Sequence, residues 1–113
     1  MKTVTRKRLV EEWARERDCF WCDRPFAYRG KHAPTLEHFI PRSRGGTDAQ
    51  GNAVVAHRSC NHRRGNRLPT EDEMRRFVQF KGSAGIQVLR VFAESIERTL
   101  ADRSSASISG RSS

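Results

Sequence analysis

Long hydrophobic runs are absent from this chain, and hydrophobic residues make up only 35% of it. The first absence excludes a membrane-spanning helix. The second leaves a small core for 113 residues, so that a bound metal would have to supply stability that packing cannot. No apolar signal segment is expected either, because Met1-Lys2-Thr3-Val4-Thr5-Arg6-Lys7-Arg8 is polar and basic. Cysteine is scarce and odd in number: there are three, two of them in a tight C-x-x-C. That argues against a disulfide scaffold and for thiolates kept for metal in a reducing cytoplasm. Acidic residues are in deficit, 13 against 22 basic, for a net charge of +9 and a pI near 10.7. Such an excess suits a polyanion, because each neutralised phosphate releases a counterion. The plainer alternative is a soluble basic surface. Internal repeats are also missing.

What is present reads as short elements. Leu9, Val10, Trp13 and Ala14 form an apolar stripe among charges, which predicts an amphipathic helix over about 6–17, capped by Thr5. Cys19-Phe20-Trp21-Cys22 reads as a knuckle, with Trp21 and Phe26 packed beside it, base stacking by these rings being the alternative. Residues 24–34 are irregular. Thr35 to Ile40 alternates and stops at Pro41, as a short strand does. Arg42 to Asp48 is a basic loop rich in turn formers. Asn52 to Ala56 predicts a second strand, and His57 to about Asn66 a helix ended by Gly65 and Pro69. Thr70-Glu71-Asp72-Glu73 has capping-box form and predicts a helix to about Phe80, broken by Gly82 and Gly85. Ile86, Leu89, Phe92, Ile96 and Leu100 recur at helical spacing. This C-terminal helical pair is expected to pack on the core, with a dimer seam as the alternative. Ser104 to Ser113 is Ser-rich and predicted to be disordered.

Two ligand couples enclose the central loop. Cys19-x-x-Cys22 and His57-x-x-Cys60 each have the two-residue gap that aims two donors at one ion. Together they predict a Cys3His structural zinc site. Residues 23–56, 34 in number, separate the couples, too many for a simple DNA-reading finger. The insert therefore needs a role of its own. His62 could ligate in place of His57, Cys60 could be an ordinary buried cysteine, and His32 reads as exposed in its Gly/Pro loop.

Inside the insert lie groups suited to phosphodiester hydrolysis, which needs a base for water and a positive centre for the transition state. His38 can be the base. Glu37 and Asn61 offer hard oxygen donors of the kind Mg2+ takes. Neighbours on a strand face opposite ways, so the chain must bend at the strand end for Glu37 and His38 to serve one site.

The run Glu37-His38-Phe39-Ile40-Pro41-Arg42-Ser43-Arg44-Gly45-Gly46, then Asn52, then His57-Arg58-Ser59-Cys60-Asn61, resembles the HNH endonucleases of the zinc-ribbon, ββα-metal type. The likeness covers about residues 19–68. It implies that His38 is the general base, that Asn52 braces the loop and orients that histidine, and that Asn61 and Glu37 hold a catalytic divalent cation. Glu37 stands where the family usually has Asp, and His57 where cysteine is commoner. His62 could alternatively take the third motif position. Arg42, Arg44, Arg58, Arg63, Arg64 and Arg67 flank the site and are expected to contact phosphates.

The expected fold is therefore α+β: a small zinc-stabilised ββα-metal (HNH) core with flanking N- and C-terminal helices. A single domain over 1–103 is expected, with its core at about 19–68, C-terminal helices at about 70–102 and a tail at 104–113. The expected activity is metal-dependent hydrolysis of DNA, double-stranded DNA above all, with structural Zn2+ and catalytic Mg2+ or another divalent cation. The resemblance also implies 5′-phosphate and 3′-hydroxyl ends. A cytoplasmic monomer is expected, without membrane attachment, and with any sequence specificity drawn from a protein partner. Two rival readings remain: a non-catalytic zinc-stabilised nucleic-acid-binding module, and a zinc scaffold for protein partners.

Overall fold

The computed structural model describes residues 5–110, with side chains through Asp102. The chain divides after Pro69 into two compact units.

The first unit opens with helix α1, Arg6–Glu16. The Thr5 hydroxyl accepts from the Arg8 amide at 3.2 Å and satisfies one of the first-turn donors that no helical carbonyl can reach. At the far end, the Trp13 indole donates to the Asp18 carbonyl at 2.8 Å and its ring meets Phe20 at 6.4 Å. Trp13 thus joins the helix to the knuckle. Strands β1, Pro34–His38, and β2, Ala53–His57, pair antiparallel with Pro34 opposite His57 and His38 opposite Ala53. Helix α2, Arg58–Arg64, follows directly and ends where Gly65 takes φ 57. It has no side-chain cap. The carbonyls of Ala33 and Lys31 instead accept from the Arg58 and Ser59 amides, so the loop before β1 caps α2.

β1 is shorter than the alternation predicts. The Phe39 amide still bonds in register to the Asn52 oxygen at 2.7 Å, but the Asn52 amide turns to the Ala49 carbonyl and the Ile40 amide is taken by Asn52 Oδ1 at 2.8 Å, so the ladder ends there. Phe39 and Ile40 are buried at this bend, with Phe20, Val54, Val55 and Ala56. The loop then turns through Gly45, at φ 98, and Gly46. A Cβ on Gly46 would lie 1.7 Å from the Ile40 oxygen, so only glycine fits.

The second unit pairs α3, Glu71–Lys81, with α4, Ser83–Gly110. The capping box at Thr70 and Glu73 is complete. Two expectations need correction. Gly85 does not break a helix: it sits in the first turn of α4, where a Cβ would meet Lys81 Cβ at 2.9 Å and the Phe77 oxygen at 3.3 Å. It marks a close approach of the two helices, with Gly82 at φ 60 as the real stop. The tail expected to be disordered from Ser104 is helical to Gly110, since extending a formed helix costs far less than starting one. Its last three residues lie outside the described part. Of the α4 apolar stripe, Phe92 is buried with Phe77, whereas Ile86, Ile96 and Leu100 are exposed.

Candidate functional site

The knuckle, the end of β2 and the start of α2 bring four donors together. The ligand atoms of Cys19, Cys22, His57 and Cys60 all lie within 4.8 Å of one another, a group that could hold a metal ion. His57, and not His62, supplies the nitrogen. Its Nδ1 is 3.3 Å from Cys22 Sγ and 3.7 Å from Cys60 Sγ. Those values bracket the edge of about 3.5 Å that a tetrahedral zinc with ordinary Zn–S and Zn–N bonds would require. The Nε2 is occupied by the Pro25 carbonyl at 2.9 Å, so the proton sits there and the Nδ1 lone pair faces the sulfurs. Asp23 adopts φ 58, a left-handed turn that acidic residues tolerate, and its amide closes the knuckle on the Cys19 carbonyl at 2.9 Å. Burial, together with the sulfurs of Cys19 and Cys22, pushes the Cys60 thiol up to about 12. Crowded sulfurs of this kind become thiolates at neutral pH when a cation sits among them. The donor set fits zinc.

At the other end of β1 the side chains are arranged for different chemistry. His38 Nε2 lies 2.9 Å from Asp48 Oδ1. An ionised carboxylate only accepts, so in the neutral imidazole the proton is on Nε2 and Nδ1 carries the lone pair. The hydrogen bond to His38, and then the Arg42 guanidinium 3.5 Å away, hold the Asp48 carboxyl below the usual carboxylate range. Glu37 does not reach the imidazole; its Oε1 accepts from the His38 amide at 3.0 Å. Asn52 is fully buried. Besides accepting from Ile40, it donates through Nδ2 to the Ile40 oxygen at 3.0 Å and the Thr47 oxygen at 2.8 Å, which ties both ends of the loop that carries Asp48.

Asn61, on α2, faces β1. Its Nδ2 donates to Thr35 Oγ1 at 2.6 Å and to the Thr35 oxygen at 3.2 Å, while Oδ1 accepts from the Trp21 indole at 3.0 Å. Strand alternation puts Thr35 and Glu37 on the same face, about 7 Å apart along the strand. Each oxygen donor keeps capacity beyond these bonds: Glu37 its Oε2, Asn61 a second lone pair on Oδ1. Both are hard donors of the kind that suits a magnesium-like ion. Among the described residues, no other three His, Cys, Asp or Glu donors approach as closely as the Cys3His set.

The arginines separate into two kinds. Arg42, Arg44, Arg58, Arg63 and Arg67 are exposed. Arg64 corrects the expectation of a phosphate contact. It is 5% exposed, its guanidinium lies 4.9 Å from the Trp21 ring, and it donates inward to the carbonyls of His38, Phe39 and Arg67. Adjacent and identical in charge and type, Arg63 and Arg64 cannot be distinguished in the sequence. The turn of α2 sends one outward and the other beneath the sheet. Asp48 was likewise hidden, since an acidic residue after Gly45-Gly46-Thr47 reads as a turn former.

The family model for HNH endonucleases matches residues 19–67. Over this segment the chain is similar to HNH endonucleases. The HNH segment runs from the first metal donor to just past α2, so it contains the Cys3His group, the His38–Asp48 pair, Asn52 and Asn61. The match supports a nuclease-type function. No curated protein and no solved structure matches the chain. Among the described residues, no helix is long and apolar enough to cross a membrane.

Proposed function

We propose that this protein is a metal-dependent endonuclease that hydrolyses DNA phosphodiester bonds, double-stranded DNA being its main substrate. The observation that carries the proposal is His38, held at Nε2 by Asp48 and presented at the end of β1 within the HNH segment. His38 Nδ1 accepts the proton of the attacking water. Asp48 keeps the imidazole in the tautomer and rotation that expose Nδ1. Asn52 fixes the loop between the strands, so base and carboxylate stay in register. Arg42, Arg44, Arg58, Arg63 and Arg67 engage backbone phosphates, which positions the duplex without reading its sequence. Glu37 and Asn61 would hold the catalytic ion, Mg2+ or a similar cation. When bound, that ion supplies charge stabilisation to the phosphoryl oxygens and the leaving group. Zinc on Cys19, Cys22, His57 and Cys60 fastens the fold and takes no part in the chemistry. The products are 5′-phosphate and 3′-hydroxyl ends, and the working form is a cytoplasmic monomer that draws any sequence specificity from a protein partner.

Supercoiled plasmid incubated with the purified protein and Mg2+, Mn2+ or Ni2+ tests this reading. Relaxed or linear DNA is expected with at least one ion. His38→Ala should abolish the cutting while leaving melting temperature and DNA affinity near those of the unsubstituted chain. Tight DNA binding without any cutting would point instead to a zinc-stabilised binding module.

A further inference from the structure

Trp21 stands between two of the metal-binding cysteines, yet its bonds lead elsewhere. Its ring stacks on Phe39 at 6.1 Å and 14°, meets the edge of Phe20 at 4.9 Å, and carries the Arg64 guanidinium at 4.9 Å. Its one polar atom spans 40 residues of sequence to donate to Asn61 Oδ1 at 3.0 Å. A carboxamide has two ends, and turning it over exchanges an oxygen that ligates cations for an NH2 that repels them. Thr35 favours the observed orientation by accepting from Nδ2. Trp21 enforces it from the other side: after a flip, its N–H would confront another donor. The same indole ring carries Arg64, which holds the carbonyls of His38 and Phe39.

We infer that Trp21 is a positioning residue for the catalytic ion. Its indole N–H selects the oxygen end of Asn61, and through this bond the zinc knuckle sets the geometry of the second, hard-metal site. The inference rests on Asn61 being a ligand, as proposed above. It assigns the knuckle a task beyond stability, because the turn that gathers Cys19 and Cys22 is also what aims the indole.

The test removes the N–H while keeping the ring. In the full-length, zinc-loaded chain, Trp21 is replaced by 3-benzothienylalanine, whose sulfur stands where the N–H was. Trp21→Phe serves as a second variant. Mn2+ binding is then measured directly by electron paramagnetic resonance, beside zinc content and melting temperature. The expected result is Mn2+ affinity weakened on the order of three- to tenfold, the range that one net hydrogen bond spans, with one zinc per chain retained. Combined with Asn61→Ala, the benzothienyl change should weaken Mn2+ binding no further. Unchanged Mn2+ affinity in the benzothienyl protein, with weakened affinity in Asn61→Ala, overturns the inference and leaves the proposed function standing. If Asn61→Ala binds Mn2+ as the unsubstituted chain does, or that chain binds none, the ligand assignment falls and the inference with it.

Discussion

A histidine serves as a base at one nitrogen when its other nitrogen is held, and here Asp48 does the holding. Replacing Asp48 with Ala should slow cleavage about tenfold or more, because the neutral ring then populates both tautomers and several rotations. Asp48→Asn, whose amide oxygen can still accept from Nε2–H, should recover part of the loss. The 15N shifts of the His38 ring provide a check independent of activity: one dominant tautomer with Asp48, a mixture with Ala. A single tautomer in both proteins would remove Asp48 from this role. The pH dependence has a definite sign. The Asp48 carboxyl is lowered by its hydrogen bond to His38 and then by Arg42. Its folded pKa is thus below the unfolded one, so its favourable interaction is complete above the ordinary carboxylate range and is lost as pH falls through the folded value. The Asp48 carboxylate should therefore keep its hold on Nε2–H until pH falls through that value. His38 was legible from its neighbours Glu37 and Pro41, whereas Asp48 becomes visible only once the intervening loop has folded back.

The loop between the strands is the element on which this geometry depends. Asn52 holds it from inside with three side-chain hydrogen bonds, and Gly46 lets it pass against the Ile40–Pro41 backbone. Gly46→Ala would place a methyl group 1.7 Å from the Ile40 oxygen and 2.6 Å from its carbon, both backbone atoms that cannot swing aside. We expect a loss of about 3 kcal/mol or more, together with loss of cleavage. Thermal melting of the zinc-loaded variant measures it, and a melting point within a degree or two of the parent would contradict the steric argument. Elements with local chemistry were legible: Thr5 and Thr70 cap the helices they precede, and Gly65 stops α2. Gly85 was misread because the same missing Cβ serves a helix end and a close helix crossing, and sequence does not distinguish them. The early end of β1 was invisible for a related reason. The Asn52 side chain takes the Ile40 amide from twelve residues away, while the Asn52 amide turns to Ala49.

For the whole molecule, metal and charge supply what a small core and a neutral surface would not. The first unit holds both tryptophans and all four metal donors. A structural zinc site can contribute on the order of 10–16 kcal/mol of apparent binding energy, comparable to or above the whole stability of a small domain. Chelation, or Cys22→Ser, should therefore unfold that unit and shift tryptophan emission to the red, not merely silence the protein. Because protons compete for the thiolates, zinc loss should be promoted by falling pH. Unchanged emission after complete zinc removal would refute the Cys3His assignment.

The charge makes a second claim, and burial sharpens it. Five arginines beside the site face solvent and a sixth, Arg64, faces inward. If the five contact duplex phosphates, the logarithm of DNA affinity should fall with the logarithm of salt concentration at a slope of about −4 to −5. Removing any one, Arg63→Ala for instance, should lower the magnitude of that slope by about one while melting temperature barely moves. Arg64→Ala should do the reverse. It strips donors from the carbonyls of His38 and Phe39, so it should destabilise the first unit by about 2–4 kcal/mol, with little change in slope for whatever remains folded. Filter binding across a salt series, paired with thermal melting, separates the two arginines. A full unit of slope lost at Arg64 with an unaltered melting point would mean that its guanidinium reaches phosphate after all, and that α2 presents a different face to DNA from the one exposed here.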